Sequence, residues 1–239
     1  MRIIAMTISL LFCSYEFCLA QTYENLSIFT VYDQDSDFTI NGTHITVSTM
    51  DRCSDSNVYK AYGTNYFNPS SEITHEFEVN TSQPTVGKEW TDGVIWGLTN
   101  HTNQSADKWT DGYFVTVEAV DHSGVGSGPY YPRIYLYNVE SGNSEESHQS
   151  NLEYDKNYYL TTNINSTNAT CKIYNDSDKT DLVATLEVNY NGSTWENLYV
   201  TTGYDEDALC DRSISYVAGN YDLNEAQEIG ETMQIIFID

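Results

Sequence analysis

Apolar and polar residues alternate with a period of two along most of the chain. In 72–79, Ile73, His75, Phe77 and Val79 share one face, and Glu72, Thr74, Glu76 and Glu78 share the other. That is the pattern of a strand buried on one side with carboxylates turned to water. The same period sets Tyr113, Val115, Val117 and Ala119 together in 113–120. In 133–139 it sets Arg133, Tyr135 and Tyr137 against Ile134, Leu136 and Asn138, and in 169–174 Ala169, Cys171 and Ile173 against Thr170, Lys172 and Tyr174. It returns in 233–239 with Met233, Ile235 and Phe237. Further short strands fit 27–32, 44–48, 58–61, 94–98, 158–163, 182–188, 197–202 and 213–217. Turn pairs punctuate them at Asn41-Gly42, Asp92-Gly93, Asp111-Gly112, Ser127-Gly128-Pro129, Ser141-Gly142-Asn143 and Asn191-Gly192. The segment 140–151 reads as a polar loop, and only 224–229 has a helical pattern. About a dozen short strands at regular spacing predict an all-β antiparallel sandwich or barrel.

The start of the chain breaks this pattern. Arg2 precedes an apolar run from Ile3 to Cys13, and Cys18-Leu19-Ala20 supplies small residues at the −3 and −1 positions of a cleavage site. This predicts a secretory signal over 1–20, too short in its apolar part to span a bilayer. The remaining 21–239 is expected to form one domain in a secreted, extracellular protein, without membrane insertion once the signal is cleaved.

Composition narrows the partners. The net charge of −25, with ten basic residues, opposes binding to nucleic acid phosphates or anionic lipid. Twenty Tyr, eight Phe and four Trp are too many for a disordered acidic chain. Beyond the signal, Cys53, Cys171 and Cys210 allow three pairings for a single disulfide. The polar surroundings of Cys53 and Cys210 favour a bridge between those two, and the apolar alternation around Cys171 marks a buried thiol. Asn25, Asn41, Asn80, Asn100, Asn103, Asn165, Asn168, Asn175 and Asn191 each open an N-glycosylation sequon, usable if the chain passes through a glycosylating export route.

The order of several motifs carries a resemblance. The run Tyr32-Asp33-Gln34-Asp35, Ile45-Thr46-Val47, Val58-Tyr59-Lys60-Ala61-Tyr62-Gly63 and Ile95-Trp96-Gly97-Leu98-Thr99-Asn100 begins it. Tyr158-Tyr159-Leu160-Thr161, Thr170-Cys171-Lys172-Ile173-Tyr174-Asn175-Asp176-Ser177 and Leu198-Tyr199-Val200 continue it. Over about residues 27–222 the set resembles the concanavalin A-like lectin/glucanase superfamily, in the laminin-G-like form of phage and environmental sequences. The resemblance implies a jelly roll of two facing antiparallel sheets. Within it, 173–186 reads as a hairpin turned by Asn175-Asp176-Ser177-Asp178, whose short side chains bond their own backbone.

Candidate chemistry is sparse. The Glu-x-Asp-x-Glu strand of the glucanase branch is absent, as is any Gly-x-Ser-x-Gly element, so no catalytic residue is assigned. His75, on an apolar face, reads as a hydrogen-bonded core residue. Asp33-x-Asp35-x-Asp37 opens like a calcium loop but has Phe38 at the sixth position and His44 at the twelfth, which excludes an EF-hand. Asp205, Asp207 and Asp211 form the candidate calcium cluster, calcium being a metal that lectins and laminin-G modules hold in loops. Sugar binding needs exposed aromatic faces, for which Trp90, Trp109, Tyr130 and Tyr131 stand in turn-rich segments, whereas Trp96 and Tyr199 are expected to fill the core. The leading reading is a non-catalytic carbohydrate-binding or surface-adhesion protein whose partner is a glycan or a cell-surface or envelope component. The alternatives are a structural subunit of a fibre, capsid or envelope, with an edge strand at 234–238, and a glucanase-type hydrolase.

Overall fold

A computed structural model describes residues 22–33, 35–51, 54–83, 91–119, 131–189, 193–203 and 213–223. Its strands are β1 (Thr30–Tyr32), β2 (Phe38–Asn41), β3 (His44–Asp51), β4 (Asn57–Ala61), β5 (Ile73–Thr81), β6 (Thr91–Thr99) and β7 (Asp111–Ala119). They continue with β8 (Arg133–Glu140), β9 (Asn143–Gln149), β10 (Asn157–Ile164), β11 (Asn168–Tyr174), β12 (Leu182–Asn189), β13 (Asn197–Gly203) and β14 (Ser213–Asp222). A first sheet has the order β1-β4-β13-β6-β7-β8-β9, and a second the order β12-β11-β10-β5-β14-β3-β2. Every pairing is antiparallel. The expected all-β sandwich is the one observed, and no α-helix occurs among the described residues. The strand expected at 233–239 and the helical turn at 224–229 lie outside them.

The alternation read along 72–79 is the burial pattern of β5, where Ile73, His75, Phe77 and Val79 face the other sheet. Tyr113, Val115 and Val117 of β7 meet them from the first sheet in one continuous core. Cys171 lies fully buried there as a free thiol, as its apolar setting implied.

Three expectations change. The polar segment 140–151 holds a strand, β9, which pairs with β8 along its whole length. Its residues Asn-Ser-Glu-Glu-Ser-His-Gln have no apolar face to report, because an edge strand needs none and charge on it discourages further pairing. The hairpin turn Ser141-Gly142 was legible, and both residues take positive φ (52 and 76), which suits the right-handed twist of the flanking strands. The segment 27–32 opens with a 3-10 turn, Leu26–Ile28, capped by the Asn25 side chain at Ser27 N (3.1 Å), before β1 begins. Asp92-Gly93 and Asp111-Gly112 are not turns but sit inside β6 and β7. At Gly93 the reason is space, since a Cβ would lie 2.6 Å from the Tyr216 ring.

The two sheets are locked by tyrosine hydroxyls. The register slips between Val94 and Trp96 in β6 and between Tyr199 and Thr201 in β13. A slip of this kind leaves carbonyls off the ladder. From β14 of the second sheet, the Tyr221 hydroxyl reaches Ile95 O (2.7 Å) and Val200 O (3.1 Å), and Tyr216 donates to Val94 O (2.9 Å). Thr201 Oγ1 shares a hydrogen bond with the Tyr216 oxygen. Tyr221 also stacks on Phe77 at 5.5 Å, and Phe77 on Trp96 at 6.3 Å.

The indole of Trp96 donates to His75 Nδ1 (3.0 Å), so the ring proton of His75 stays on Nε2, which is buried without a partner. Burial pushes the His75 pKa down to about 3.

Two outcomes follow from this core. Tyr221→Phe strands two buried carbonyls and is expected to cost about 1–3 kcal/mol, measured as a lower urea midpoint at unchanged m-value. His75 stays neutral in the folded chain, while its unfolded pKa is near 6.5. Stability is therefore lost as pH falls below about 6.5, by up to about 1.4 kcal/mol per pH unit for this group. His75→Gln keeps an acceptor for the indole and should remove that component, checked by comparing urea midpoints at neutral and mildly acidic pH.

Candidate functional site

Strands β7 and β8 are buried on both faces, although only one faces the second sheet. On the outer face of the first sheet, Phe114, Tyr135, Tyr137, Val139, Val94 and Tyr199 form a second cluster. Part of its cover is the turn at Ala106–Lys108 and the following Trp109, whose ring lies against Phe114 (5.4 Å) and Tyr199 (4.9 Å). Trp109 is 3 % exposed and packs over Gly97, where a Cβ would fall 2.8 Å from the ring. The expectation that Trp109 offers a face to sugar is corrected: it is wall, not platform. Tyr199 fills this outer cluster and Trp96 the inter-sheet core, both buried as expected.

From Trp109 the rings run outward along the face. Phe114 stacks on Tyr137 (4.8 Å), Tyr137 on Tyr135 (5.5 Å), and Tyr135 lies 4.9 Å from the exposed imidazole of His148. Beside this ladder the register aligns Glu118 with Arg133, and Thr116 with Tyr135 and His148. The Glu118 carboxylate is buried, with its side chain 5 % exposed. It accepts from the Tyr135 hydroxyl (3.1 Å) and from Arg133 Nη1 (3.3 Å), which also donates to the Tyr135 oxygen (3.3 Å). Burial raises the Glu118 pKa above the usual carboxylate range, against the lowering pull of Arg133 and Tyr135. Burial likewise pushes Tyr135 up to about 12, so it remains a phenol and a donor. Burial disfavours the charge on Arg133, but Tyr135 and Glu118 hold its pKa above the ordinary value. The Thr116 hydroxyl, two residues from Glu118 on the same face, is buried with no hydrogen-bond partner. Exposure rises from Glu118 through Arg133 to His148, so the site opens toward β9. It brings a partly exposed guanidinium, a buried carboxylate and the exposed His148 ring into one patch.

Tyr131, at 36 % exposure, lies two residues before Arg133 and, of the two predicted aromatics among the described residues, is the one that meets solvent. Trp90, Tyr130, Asp205, Asp207, Asp211, Cys53 and Cys210 lie outside the described residues. Among the described residues no group of three His, Cys, Asp or Glu side chains is placed to hold a metal. The Asp33 carboxylate is used by the fold, accepting from Asp37 N (2.8 Å) and Phe38 N (3.2 Å), and buried Asp37 takes the Ser54 hydroxyl (2.9 Å). Of the sequons, Asn80, Asn100, Asn165, Asn168 and Asn175 donate their amide nitrogens within the fold. Asn25, Asn41 and Asn103 lie exposed, and Asn191 is outside the described residues. The triad Glu118, Arg133 and Tyr135 was missed from sequence because 133–139 read as plain alternation. The one available signal was a carboxylate and an arginine at strand positions expected to face outward.

No protein-family model matches the chain, and no curated protein matches its sequence. Among solved structures, it is similar to the VIP36 exoplasmic/lumenal domain in its Ca2+/Man3GlcNAc-bound form, at 9 % identity and a TM-score of 0.53, covering 83 % of this chain and 85 % of that one. The fold is that of the concanavalin A-like jelly rolls. This concanavalin A-like sandwich also matches carbohydrate-binding module CBM66 from Bacillus subtilis, at 15 % identity and a TM-score of 0.43, over 81 % of this chain and 91 % of that one. An alginate lyase from Alteromonas sp. 272 matches at 10 % identity and a TM-score of 0.45, over 82 % of this chain and 92 % of that one. At 9 % identity, the likeness to the VIP36 domain shows the fold alone.

Trp109→Ala opens a buried cavity over Gly97 and should lower unfolding free energy by about 3–5 kcal/mol. A urea melt checks this, since an exposed sugar platform at that position would be near neutral.

Proposed function

We propose that this protein binds carbohydrate on the outer face of its first sheet, outside the cell, without cleaving it. The observation that carries the reading is a carboxylate, guanidinium and phenol joined on a sheet face with no second sheet against it, beside the orphaned Thr116 hydroxyl. A buried hydroxyl left unpaired costs about 1–3 kcal/mol, and a ligand hydroxyl in the site removes that cost. Sugars present vicinal hydroxyls to groups of this kind and lay their apolar faces on rings, and at the open end of the ladder the exposed His148 imidazole is a ring face that meets solvent. The jelly roll it shares with a glycan-bound lumenal lectin domain supports the same reading by analogy of fold. The non-catalytic part rests on Glu118 being already engaged by Arg133 and Tyr135, whereas glycoside hydrolysis uses two carboxylates set across a cleft. Export rests on the leader-like segment 1–20.

A glycan array followed by calorimetric titration, with and without calcium, tests this. Arg133→Ala is expected to weaken binding at least about tenfold through loss of a charge-assisted hydrogen bond. Retention of no glycan by the wild-type chain in either condition overturns the proposal. Release of reducing sugar that disappears in Glu118→Gln would replace binding by chain cleavage.

A further inference from the structure

The opposite side of the sandwich carries a feature that the first-sheet site does not use. The outer face of the second sheet holds two shallow cavities on either side of Glu78, of about 180 Å³ and 220 Å³. The smaller one has room for about six waters. A plain amphipathic sheet would present only solvated side chains here, but two chain segments fold over it. One is the turn between β11 and β12. Asp176 caps it, accepting from Thr180 N (3.0 Å) and Asp181 N (2.7 Å), and Lys179 takes a positive φ of 54. This throws the Lys179 ammonium across β10 to pair with Glu76 on β5. The other is the N-terminal segment, tied down by Glu24 N to Tyr221 O (2.8 Å), which brings Tyr23 to the opposite wall. The floor is Glu76, Glu78 and Tyr159, the last two being register partners.

The polar groups of this cavity are fixed but not used up. His44 Nε2 (2.9 Å) and Asn220 Nδ2 (2.8 Å) both bond to Glu78 Oε1, which holds the carboxylate still and leaves Oε2 as an acceptor without a partner among the described residues. The Tyr159 hydroxyl likewise has no partner among them. Lys179 is balanced by Glu76, so the lining interleaves donors and acceptors with little surplus charge beyond Glu78. An anion would meet two carboxylates, and a cation would find Glu76 taken by Lys179 and Glu78 Oε1 already bonded by His44 and Asn220, which leaves one carboxylate oxygen and no cluster of ligands among the described residues. The geometry points to a second ligand site on this face, for one ring of an uncharged polyol such as a neutral pyranose, held by Glu78 Oε2 and the Tyr159 hydroxyl. It stands on different residues from the first-sheet site and does not depend on it.

Amide chemical-shift mapping of the full chain, titrated with neutral methyl glycosides of glucose, galactose, mannose and N-acetylglucosamine, tests this. Expected are shifts confined to 76–80, 157–161 and 177–179 for at least one of them, persisting in Arg133→Ala. Tyr159→Phe and Glu78→Gln should each weaken that response at least about tenfold. Tyr159→Phe removes only an oxygen from an outer face, so it remains informative if Glu78→Gln does not fold. Absence of shifts on this face with all four glycosides overturns the site, as does a response untouched by both variants. A parallel titration with glucuronate that alone gave a response on this face would overturn it too. Shifts on the first-sheet face only would overturn this site and leave the other reading standing.

Discussion

The sandwich depends on polar bonds made through an apolar core. From β14 the Tyr221 hydroxyl crosses to the carbonyls of Ile95 and Val200, the residues skipped at the slips in β6 and β13, and the Tyr216 hydroxyl crosses to that of Val94 beside the first slip. Each partner would be a liability alone. A buried phenol without an acceptor and a buried carbonyl without a donor both carry a desolvation cost. Together they fix the relative position of the sheets, which apolar packing specifies only loosely. Gly93 belongs to the same device, because only the absence of a side chain lets the Tyr216 ring lie against β6.

The slip in β6 also shapes the outer face. On its core side it places both Ile95 and Trp96 in the main core, and on the other side it leaves Val94 facing Thr116 and Tyr199. Gly97 then leaves a hollow that Trp109 fills. The aromatic ladder from Trp109 to His148 is anchored at one end by this packing and reaches solvent at the other. Glu118 and Tyr135 lie toward the open end, where their own burial and the hydrogen bonds they share with Arg133 keep the three groups in a defined geometry. The second sheet shows the contrasting arrangement. Its outer face is polar along β5 and β10, and what order it has comes from hydrogen bonds and from turns folded over it.

The period-two pattern alone determined the fold class, most strand positions and which residues of β5, β7 and β11 share the core face. It could do so because strand side chains alternate strictly and one face of each strand must leave water. It also placed His75 and Cys171 in the core, and it found the turns at Ser141-Gly142 and 175–178, whose residue types are dictated by local backbone geometry. It missed β9, which has no apolar face, and it took Asp92-Gly93 for a turn because a glycine that admits a neighbouring ring looks the same in sequence as one that bends the chain. Only the tertiary structure decided that the outward residues of β7 and β8 are buried too, that Trp109 is a wall rather than a platform, and that Glu118, Arg133 and Tyr135 meet. Those facts depend on which strands lie side by side and which loops fold over them. Contacts between residues far apart in the chain leave no local period to read.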